Sequence, residues 1–277
     1  MTAYHLGLTG YPLSHSLSPK IHTTALKTCG LQGNYSLFPI PPDDRQGLKD
    51  LLDRVRTGDL HGLNVTIPHK QSVIEFLDEL TPTAHAIGAV NTIFFRNNKL
   101  IGDNTDAPGF LSDLKRLLTT ETRRHGDLNA LVLGAGGSAR AVVYALLIDG
   151  WDVTIAARRI EQAQQLTSSF SNYQLPITSL ADLRLSTFDL LVNTTPLGMA
   201  PNVNESPLPE NLSLPSNVLI YDMVYNPRET KLVRDARAQG LQATTGLGML
   251  IEQAALSFEI WTGHNPPRDV LYASVVE

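Results

Sequence analysis

The chain has 277 residues and a net charge of −5, and 42% of its residues are hydrophobic. That length suits two domains, each with enough apolar side chains for a core. A mild negative charge without a basic stripe argues against nucleic acid as a partner. The single cysteine, Cys29, excludes an internal disulfide and a cysteine-based zinc cluster, and the eight histidines show no i, i+4 pair, so no metal site is predicted.

The N-terminus MTAYHLGLTG does not have the basic start and long apolar run of a secretory signal. No apolar stretch approaches the ~18 residues that a transmembrane helix needs. We therefore expect a cytoplasmic protein that does not bind membranes.

The first predicted elements are a strand over Tyr4–Thr9 and a helix that starts at Ser18 and ends near Thr28. Serine is a favoured N-cap and Pro19 suits the first helical position, so Ser18 has a structural explanation. Ser16 has none. Two hydroxyls beside a helix N-terminus would also seat a small carboxylate, and the residues alone leave both roles open.

Further alternation of strands and helices follows, with a strand over Leu60–Thr66 that leads into the sequence NVTIPHK. In open α/β sheets, ligands bind beyond the carboxyl ends of the strands, where Thr66 and Lys70 fall. Lys70 could be a solvated lysine of a first helical turn. First turns favour acidic residues, however, which favours a functional role for this lysine.

A hairpin is predicted next, with strands over Asn91–Arg96 and Lys99–Gly102 and an Asn-Asn turn. It leads through a dense polar loop to Asp106 and then to a helix over Phe110–Leu118. Asp106 could be a helix N-cap or a first-turn acid, which are the commoner roles for this residue type. The basic, polar stretch Thr119–Gly126 is typical of a linker.

The second half begins with an apolar strand, Leu128–Leu133, followed by the sequence GAGGSARA. Gly134, Gly136 and Ala139 fit the G-x-G-x-x-G/A pattern, in which the glycines let a pyrophosphate approach the backbone. A plain turn between a strand and a helix can look similar. The helix to Ile148 and the following strand, Asp152–Ala156, complete a βαβ unit. This context favours dinucleotide binding over a plain turn.

The end of that second strand predicts which dinucleotide binds. NAD-binding proteins usually place Asp or Glu there, ~20 residues past the glycines, to bind the ribose 2′-hydroxyl. This chain has Ala157, Arg158 and Arg159 instead. Two guanidinium groups without a carboxylate suit a 2′-phosphate, so NADP is predicted. The alternative is that both arginines are merely solvated.

Later elements continue the alternation, with strands over Phe188–Asn193 and Val218–Asp222. The long loop between them, Ala200–Asn217, is typical of a lid or a binding loop. A helix over Thr230–Gln239 and a last helix over Leu250–Trp261 follow. Gln253 lies among apolar neighbours in the last helix, so its amide either binds a buried polar group or contacts a ligand.

Together these motifs resemble the shikimate dehydrogenase family, over Gly10 to Gly263. The motifs are GYPLSHSLSP, NVTIPHK, IGAVNT, GDNTDAPG and GAGGSARA, followed by the later segments Met223–Pro227 and Gly246–Gln253. The resemblance implies reversible NADP-dependent interconversion of shikimate and 3-dehydroshikimate, on the route to chorismate and the aromatic amino acids. It also implies small-molecule binding only, and a homodimer is left open.

The fold that we expect is α/β with two domains. An N-terminal αβ substrate domain with a mainly parallel sheet would comprise residues 1–106, completed by a C-terminal helix over 247–277. A Rossmann-type NADP-binding domain would comprise residues 107–246, with the nicotinamide in a cleft between the two.

The resemblance also implies site residues. Lys70 and Asp106 would be catalytic and act as a unit. The substrate would contact Ser16, Ser18, Thr66, Asn91, Asp106, Tyr225 and Gln253. The cofactor would contact Gly134, Ala135, Gly136, Gly137, Ser138, Ala139, Ala157, Arg158, Arg159, Thr194, Thr195, Met223, Gly246 and Met249.

One segment departs from the family. Members specific for NADP commonly carry an Asn-Arg-Thr/Ser run where this chain has Ala157, Arg158 and Arg159. Arg158 keeps the guanidinium, but the strictness of the preference for NADP stays open. The alternatives are a quinate/shikimate dehydrogenase of broader range that uses NAD or NADP, and a noncatalytic nucleotide-binding protein, which the presence of Lys70 and Asp106 disfavours.

Overall fold

The computed structural model describes residues 3–118, 128–179, 188–209 and 214–276. The chain divides into two compact units, Met1–Gly109 with Leu250–Glu277, and Phe110–Met249. The predicted linker Thr119–Gly126 lies outside the described residues, as does part of the predicted loop Ala200–Asn217. None of the described helices is long and apolar enough to cross a bilayer.

The first unit is built on a six-stranded mixed sheet. Its strands are β1 (Tyr4–Gly10), β2 (Gly33–Pro39), β3 (Gly62–Val65), β4 (Glu79–Leu80), β5 (Thr92–Arg96) and β6 (Lys99–Asp103), in the spatial order β2-β1-β3-β5-β6-β4. The β1–β2, β1–β3 and β4–β6 pairs are parallel, whereas β3–β5 and β5–β6 are antiparallel. A mainly parallel sheet was expected, and the antiparallel pairs arise because β5 and β6 form the predicted hairpin.

The register of this sheet brings several strand ends to one edge. Val65, the last residue of β3, lies beside Thr9 of β1. Thr92, the first residue of β5, lies opposite both Asn64 and Asp103, near the ends of β3 and β6. The carboxyl ends of β1, β3 and β6 and the start of β5 therefore meet at the same edge.

Several helices belong to the first unit. They are α1 (Ser18–Thr28), α2 (Arg45–Arg56), α3 (His69–Ser72) and α4 (Pro82–Ile87), the start of α5 (Asp106–Leu117), most of α9 (Leu247–Thr262), and α10 (Arg268–Val276). In α2 the buried positions Leu48, Leu51, Leu52 and Val55 recur every three or four residues, so that one face of the helix enters the core.

The second unit is a doubly wound parallel sheet. Its strands are β7 (Asn129–Leu133), β8 (Asp152–Ala156), β9 (Ile177–Thr178), β10 (Leu190–Asn193), β11 (Leu219–Asp222) and β12 (Ala243–Thr245), with helices α6 (Gly137–Ile148), α7 (Ile160–Ser168) and α8 (Lys231–Ala238). The spatial order is β12-β11-β10-β7-β8-β9, and every pair is parallel. This is the Rossmann order, which reverses between β7 and β10 and places a crevice for a dinucleotide there.

Three helix predictions need correction. The helix predicted over Phe110–Leu118 begins at Asp106, because the Asn104 amide oxygen accepts the N–H groups of Asp106 and Ala107 and caps the earlier start. The helix predicted from Leu250 begins at Leu247 and includes Gly248.

That helix is also not the last one, since α10 follows it. At Gly248 an added Cβ would overlap the Asp113 carboxylate. The glycine therefore permits close packing within the helix instead of interrupting it.

The third correction concerns the start of α1. Leu17 is the N-cap residue, Ser18 is the first helical residue, and no side chain caps the helix. The Ser16 hydroxyl instead accepts the backbone N–H of Ser18 at 3.2 Å. The local structural role therefore belongs to Ser16 and not to Ser18, the reverse of the expectation.

His22 of α1 is a fully buried histidine in the core of the first unit. Its ring stacks on Tyr35, with centroids 4.3 Å apart and planes 2° apart, and lies near Phe258 and Trp261. Burial lowers the pKa of His22 from 6.5 to about 3. As the pH falls, His22 is therefore protonated in the unfolded chain before it is protonated in the folded protein. The stability contributed by the neutral ring is lost as the pH falls below 6.5.

We expect His22→Phe to remove this pH dependence, because phenylalanine keeps a stacked ring that cannot be protonated. Between pH 7 and pH 5 the wild type should lose about 2 kcal/mol of unfolding free energy that the variant keeps. Urea unfolding at both pH values measures the difference. The exposed His85 of α4 provides the control, since His85→Phe should follow the wild type. Equal pH dependence in wild type and His22→Phe would contradict the assignment.

Candidate active site

A buried ion pair lies at the edge of the first sheet where the strand ends meet. The Nζ atom of Lys70 is 2.5 Å from Oδ2 of Asp106, and the two residues are 9% and 4% exposed. Lys70 is in α3, after the end of β3, and Asp106 is the first residue of α5, after the end of β6. Two opposite charges in contact and largely removed from water form a unit that can hold or release a proton.

Asn91 fixes the second oxygen of the Asp106 carboxylate. Its Nδ2 donates to Oδ1 of Asp106 at 2.8 Å and to Oγ1 of Thr105 at 2.9 Å. The orientation of this amide is determined, because its Oδ1 accepts the backbone N–H of Thr105 at 2.8 Å. Lys70 and Asn91 therefore bind different oxygens of one carboxylate.

Gln253 of α9 belongs to the same cluster. Its Oε1 is 3.3 Å from Nδ2 of Asn91, and its Nε2 donates to the carbonyl of Leu250 at 2.9 Å. Gly109 lets α9 approach, since a Cβ there would lie 2.8 Å from the backbone nitrogen of Gln253. Of the two roles expected for the Gln253 amide, contact with a buried polar group is observed.

Ser16 lies in the segment between β1 and α1, and Ser18 is the first residue of α1. Ser18 is buried, whereas Ser16 is half-buried. Thr66, at the end of β3, bonds through its N–H to the carbonyl of Thr9, and a Cβ at Gly10 would overlap its methyl group. All three hydroxyls therefore follow strands that end at the edge where Lys70 and Asp106 lie.

The second unit carries the glycine turn at the reversal of strand order. Gly134 has φ 110°, which favours glycine, and a Cβ there would lie 2.6 Å from Oγ1 of Thr194. At Gly136 a Cβ would meet no protein atom within 4 Å, which leaves the backbone open to a ligand. Ala139 is fully buried in α6. These three positions have the tight turn, the open approach and the close packing that a dinucleotide loop requires.

Other predicted cofactor residues line the same turn and the end of β8. Ala135, Gly137 and Ser138 are half-buried around the N-terminus of α6, where free N–H groups suit a phosphate. Ala157 is buried after β8, and the side chains of Arg158 and Arg159 are exposed beside it. Two exposed guanidinium groups at this strand end fit a 2′-phosphate.

A buried carboxylate organises the loops after β10 and β11. Asp222 accepts hydrogen bonds from Nδ2 of Asn193 (2.8 Å), Oγ1 of Thr230 (2.6 Å) and the N–H of Val224 (3.1 Å). Oδ1 of Asn193 in turn accepts the N–H and hydroxyl of Thr195. The shape of the loop that carries Thr195 therefore depends on Asp222.

Burial raises the pKa of Asp222 from 3.8 to about 6, against the opposing effect of its hydrogen bonds. The carboxyl group is therefore harder to ionise in the folded protein than in the unfolded chain.

The remaining predicted residues of the second unit lie on its later segments. Met223 follows Asp222, and a Cβ at Gly246 would lie 2.5 Å from its carbonyl oxygen. Met249 is buried. Burial raises the pKa of Tyr225, so its phenol stays a neutral hydrogen-bond donor near pH 7. Among the described residues, no group of three or more His, Cys, Asp or Glu is placed to hold a metal ion.

Comparison with known proteins matches both units. Residues 8–93 match the shikimate dehydrogenase substrate-binding domain, residues 116–231 the shikimate/quinate 5-dehydrogenase domain, and residues 246–276 the shikimate 5′-dehydrogenase C-terminal domain. The NADP⁺-dependent shikimate dehydrogenase of Bacillus subtilis is 38% identical over 274 residues, which are 98% of this chain and 95% of that protein. The chain belongs to the shikimate dehydrogenase family.

Solved structures of the family agree with the fold. A shikimate dehydrogenase crystallised with NADP⁺ has a TM-score of 0.90 and 36% identity, covering 99% of this chain and 95% of that one. Shikimate 5-dehydrogenase of Thermus thermophilus, crystallised with NADP(H) and shikimate, has a TM-score of 0.85 and 37% identity, covering 98% of both chains. The two-domain α/β fold with a Rossmann-type unit is thereby confirmed.

The sequence did not predict several residues that support the site of this shikimate dehydrogenase family member through hydrogen bonds. Asn104 caps the helix that begins with Asp106, and Asp222 organises the loop after β10. Thr92, Thr105 and Ser257 form a buried hydroxyl cluster behind Asn91. The polar density of the loop before Asp106 was a usable signal for Asn104 and Thr105, but nothing local marks Ser257.

We expect Asp222→Asn to change how stability depends on pH. Because the folded-state pKa of Asp222, about 6, exceeds the unfolded value of 3.8, its contribution is greatest at low pH and is lost as the pH rises through 6. Between pH 4.5 and pH 7 the wild type should lose about 2 kcal/mol of unfolding free energy through this group, and the variant should not.

Denaturant unfolding at both pH values tests this. Asp152→Asn, at an exposed carboxylate at the start of β8, is the matched control and should behave as wild type. A loss of the same size in Asp222→Asn and wild type would refute the raised pKa.

Proposed function

We propose that the protein catalyses the reversible NADP-dependent oxidation of shikimate to 3-dehydroshikimate. The observation that carries this proposal is the buried contact of 2.5 Å between Lys70 and Asp106 at the edge where strand ends meet. An alcohol dehydrogenation needs a group that takes a proton as hydride leaves, and this pair can supply one. The relative crystallised with NADP(H) and shikimate supports the choice of substrate and cofactor.

The proton is the part of the reaction that we assign to the pair. NADP⁺, when bound, would supply the hydride acceptor for C3 of the substrate. The proton of the C3 hydroxyl passes to the Lys70–Asp106 unit, and in the reverse direction the unit returns it to the carbonyl oxygen. The hydrogen bond from Asn91 keeps one oxygen of Asp106 occupied, so that the other faces Lys70. This division holds the lysine in place for proton transfer.

We also propose the substrate contacts that the sequence predicts. Ser16 and Ser18 would bind the carboxylate beside the N-terminus of α1, where the positive end of the helix dipole favours an anion. Thr66, Asn91 and Gln253 would orient the ring hydroxyls, and Tyr225 would contribute its neutral phenol. Asp106 would contact the substrate as well as Lys70.

For the cofactor, we assign the pyrophosphate to the turn Gly134–Ser138 with Ala139 packed behind it. The 2′-phosphate would lie at Ala157, Arg158 and Arg159. Thr194, Thr195, Met223, Gly246 and Met249 would bind toward the nicotinamide end. The openness at Gly136 supports the first assignment, since the second glycine of the pattern is where a pyrophosphate approaches.

The proposed division of labour follows the predicted bounds. Residues 1–106 with 247–277 would bind and turn over the substrate, and residues 107–246 would bind NADP. A cytoplasmic location and a homodimer stay predictions. Activity with quinate or with NAD is the competing proposal, because the matched family model covers shikimate and quinate enzymes together.

The first experiment is an absorbance assay at the nicotinamide band. Purified protein would be tested with shikimate or quinate, each with NADP⁺ or NAD⁺. We expect reduction with shikimate and NADP⁺ and little with the other combinations. Strong reduction with quinate or NAD⁺ would support the broader-range enzyme, and no reduction with any combination would refute the catalytic proposal.

Lys70→Met should lower kcat with shikimate by roughly 100- to 10,000-fold, because it removes a proton-transfer group. KM should change little, since the lysine acts mainly in the transition state. Steady-state kinetics at saturating NADP⁺ measure both constants. Lys49→Met, at an exposed lysine of α2, should match the wild type. A variant with normal kcat and a raised KM would show that Lys70 binds substrate without proton transfer.

Arg158→Gln should raise the KM for NADP⁺ by roughly 10- to 150-fold, since charge-assisted hydrogen bonds to a phosphate contribute ~1.5–3 kcal/mol. The KM for NAD⁺, which has no 2′-phosphate, should not rise. The control is Arg234→Gln, at an exposed arginine of α8 in the same unit. An equal rise for both cofactors would mean that Arg158 does not read the 2′-phosphate.

A further inference from the structure

A cluster of three buried hydroxyls lies behind Asn91. The Oγ of Ser257 is 2.7 Å from Oγ1 of Thr92 and 3.0 Å from Oγ1 of Thr105, and those two oxygens are 3.2 Å apart. Thr92 and Ser257 are fully buried and Thr105 is 3% exposed. Ser257 is in α9, whereas the threonines are at the start of β5 and before α5. The cluster therefore joins three segments that are distant in sequence.

The hydrogen-bond capacity of Ser257 is fully used. A serine hydroxyl donates one hydrogen bond and accepts two. Ser257 donates to the carbonyl of Gln253 at 3.0 Å and accepts from Nδ2 of Asn64 at 3.1 Å. The Tyr35 hydroxyl donates to Oδ1 of Asn64 at 2.8 Å, which turns Nδ2 toward Ser257. One acceptor position remains, and it receives the hydroxyl of Thr92 or Thr105.

This remaining position determines the bonding of Asn91. Both threonine hydroxyls also lie near Oδ1 of Asn91, at 2.9 Å for Thr92 and 3.2 Å for Thr105. When one donates to Ser257, the other is placed to donate to Asn91. Oδ1 of Asn91 then accepts that hydroxyl and the N–H of Thr105, and its two Nδ2 protons go to Thr105 and Asp106. Nδ2 of Asn91 also lies 3.3 Å from Oε1 of Gln253, which is the longest of its three contacts.

We propose that Ser257 is a positioning residue for the Lys70–Asp106 pair, acting through Thr105 and Asn91. The role in catalysis rests on the proposed function, because it concerns the group that takes the proton. Without the Ser257 hydroxyl, one threonine loses its acceptor in a buried site, and the Asn64 amide keeps the Asn91 carbonyl at 3.0 Å but loses its second acceptor. The threonine hydroxyl then competes for Oδ1 of Asn91 and draws its amide away from Asp106. The carboxylate then loses one of its hydrogen-bond donors and is held less firmly against Lys70.

Ser257→Ala should lower kcat about tenfold, the effect of losing one well-placed hydrogen bond near the reacting group. The pH dependence of kcat should also change, because the carboxylate that pairs with Lys70 has lost a donor, and a loss of packing alone would not cause this. Thr262→Val is the matched control, since the Thr262 hydroxyl likewise bonds to the carbonyl four residues earlier in α9, at 2.8 Å. It should leave kcat and the pH profile unchanged.

Two variants of Thr105 distinguish the effect of hydrogen bonding from the effect of packing. Thr105→Val removes the hydroxyl and keeps the volume, and should reproduce the loss in kcat. Thr105→Ser keeps the hydroxyl and should restore most of the wild-type kcat. The double variant Ser257→Ala with Thr105→Val should lose little more than either single variant, because both act through one cluster. A lower kcat in Thr105→Ser than in Thr105→Val would overturn the inference.

An NMR measurement tests the positioning without turnover. The side-chain amide signal of Asn91 in a ¹H–¹⁵N correlation spectrum, assigned by its absence in Asn91→Asp, should shift in Ser257→Ala and stay in place in Thr262→Val. An unmoved signal in Ser257→Ala would refute the positioning role. Failure of the wild type to oxidise shikimate would refute the proposed function alone, since this signal is read from the free protein.

Discussion

The structure of the first unit depends on keeping the charges of Lys70 and Asp106 together away from water. Removing an ion from water costs several kcal/mol even in real proteins, and a buried pair is tolerated only with close contact and additional hydrogen bonds. The contact of 2.5 Å meets the first condition. The additional hydrogen bonds come from two asparagines. Asn91 donates to the Asp106 carboxylate, and Asn104 accepts the backbone N–H of Asp106.

Each of these partners comes from a different element. Lys70 follows β3, Asn91 precedes β5, Asp106 starts α5, and Gln253 lies in α9. The mixed sheet makes this convergence possible, because the antiparallel strand β5 begins where the parallel strands β1 and β3 end. A hairpin in an otherwise parallel sheet therefore adds a polar side chain to the edge where ligands bind in α/β proteins.

Asp222 of the second unit is a buried carboxylate that, unlike Asp106, has no lysine in contact among the hydrogen bonds described for it. It faces neutral donors from Asn193, Thr230 and Val224, and burial raises its pKa to about 6. Hydrogen bonds alone thus offset only part of the desolvation cost, whereas contact with a cation would favour the charged form. The carboxyl group serves to shape the loops after β10 and β11, and its cost appears as a dependence of stability on pH.

The sequence by itself determined the elements with strong local signals. The glycine turn between β7 and α6, the Asn-Asn hairpin and the alternation of strands and helices are set by backbone preferences and side-chain periodicity, which act over a few residues. The motifs also identified the family and proposed the candidate residues Lys70 and Asp106.

Only the tertiary structure decided which side chains support those candidates. Ser257 and Thr105 are 152 residues apart, yet their hydroxyls are 3.0 Å apart. The early start of α5 depends on the Asn104 cap, and the passage of α9 through Gly248 depends on packing against Asp113. Local propensity predicts a helix break at such a glycine. Contacts between distant segments override it, and a hydrogen-bond network of this kind exists only once the segments have come together.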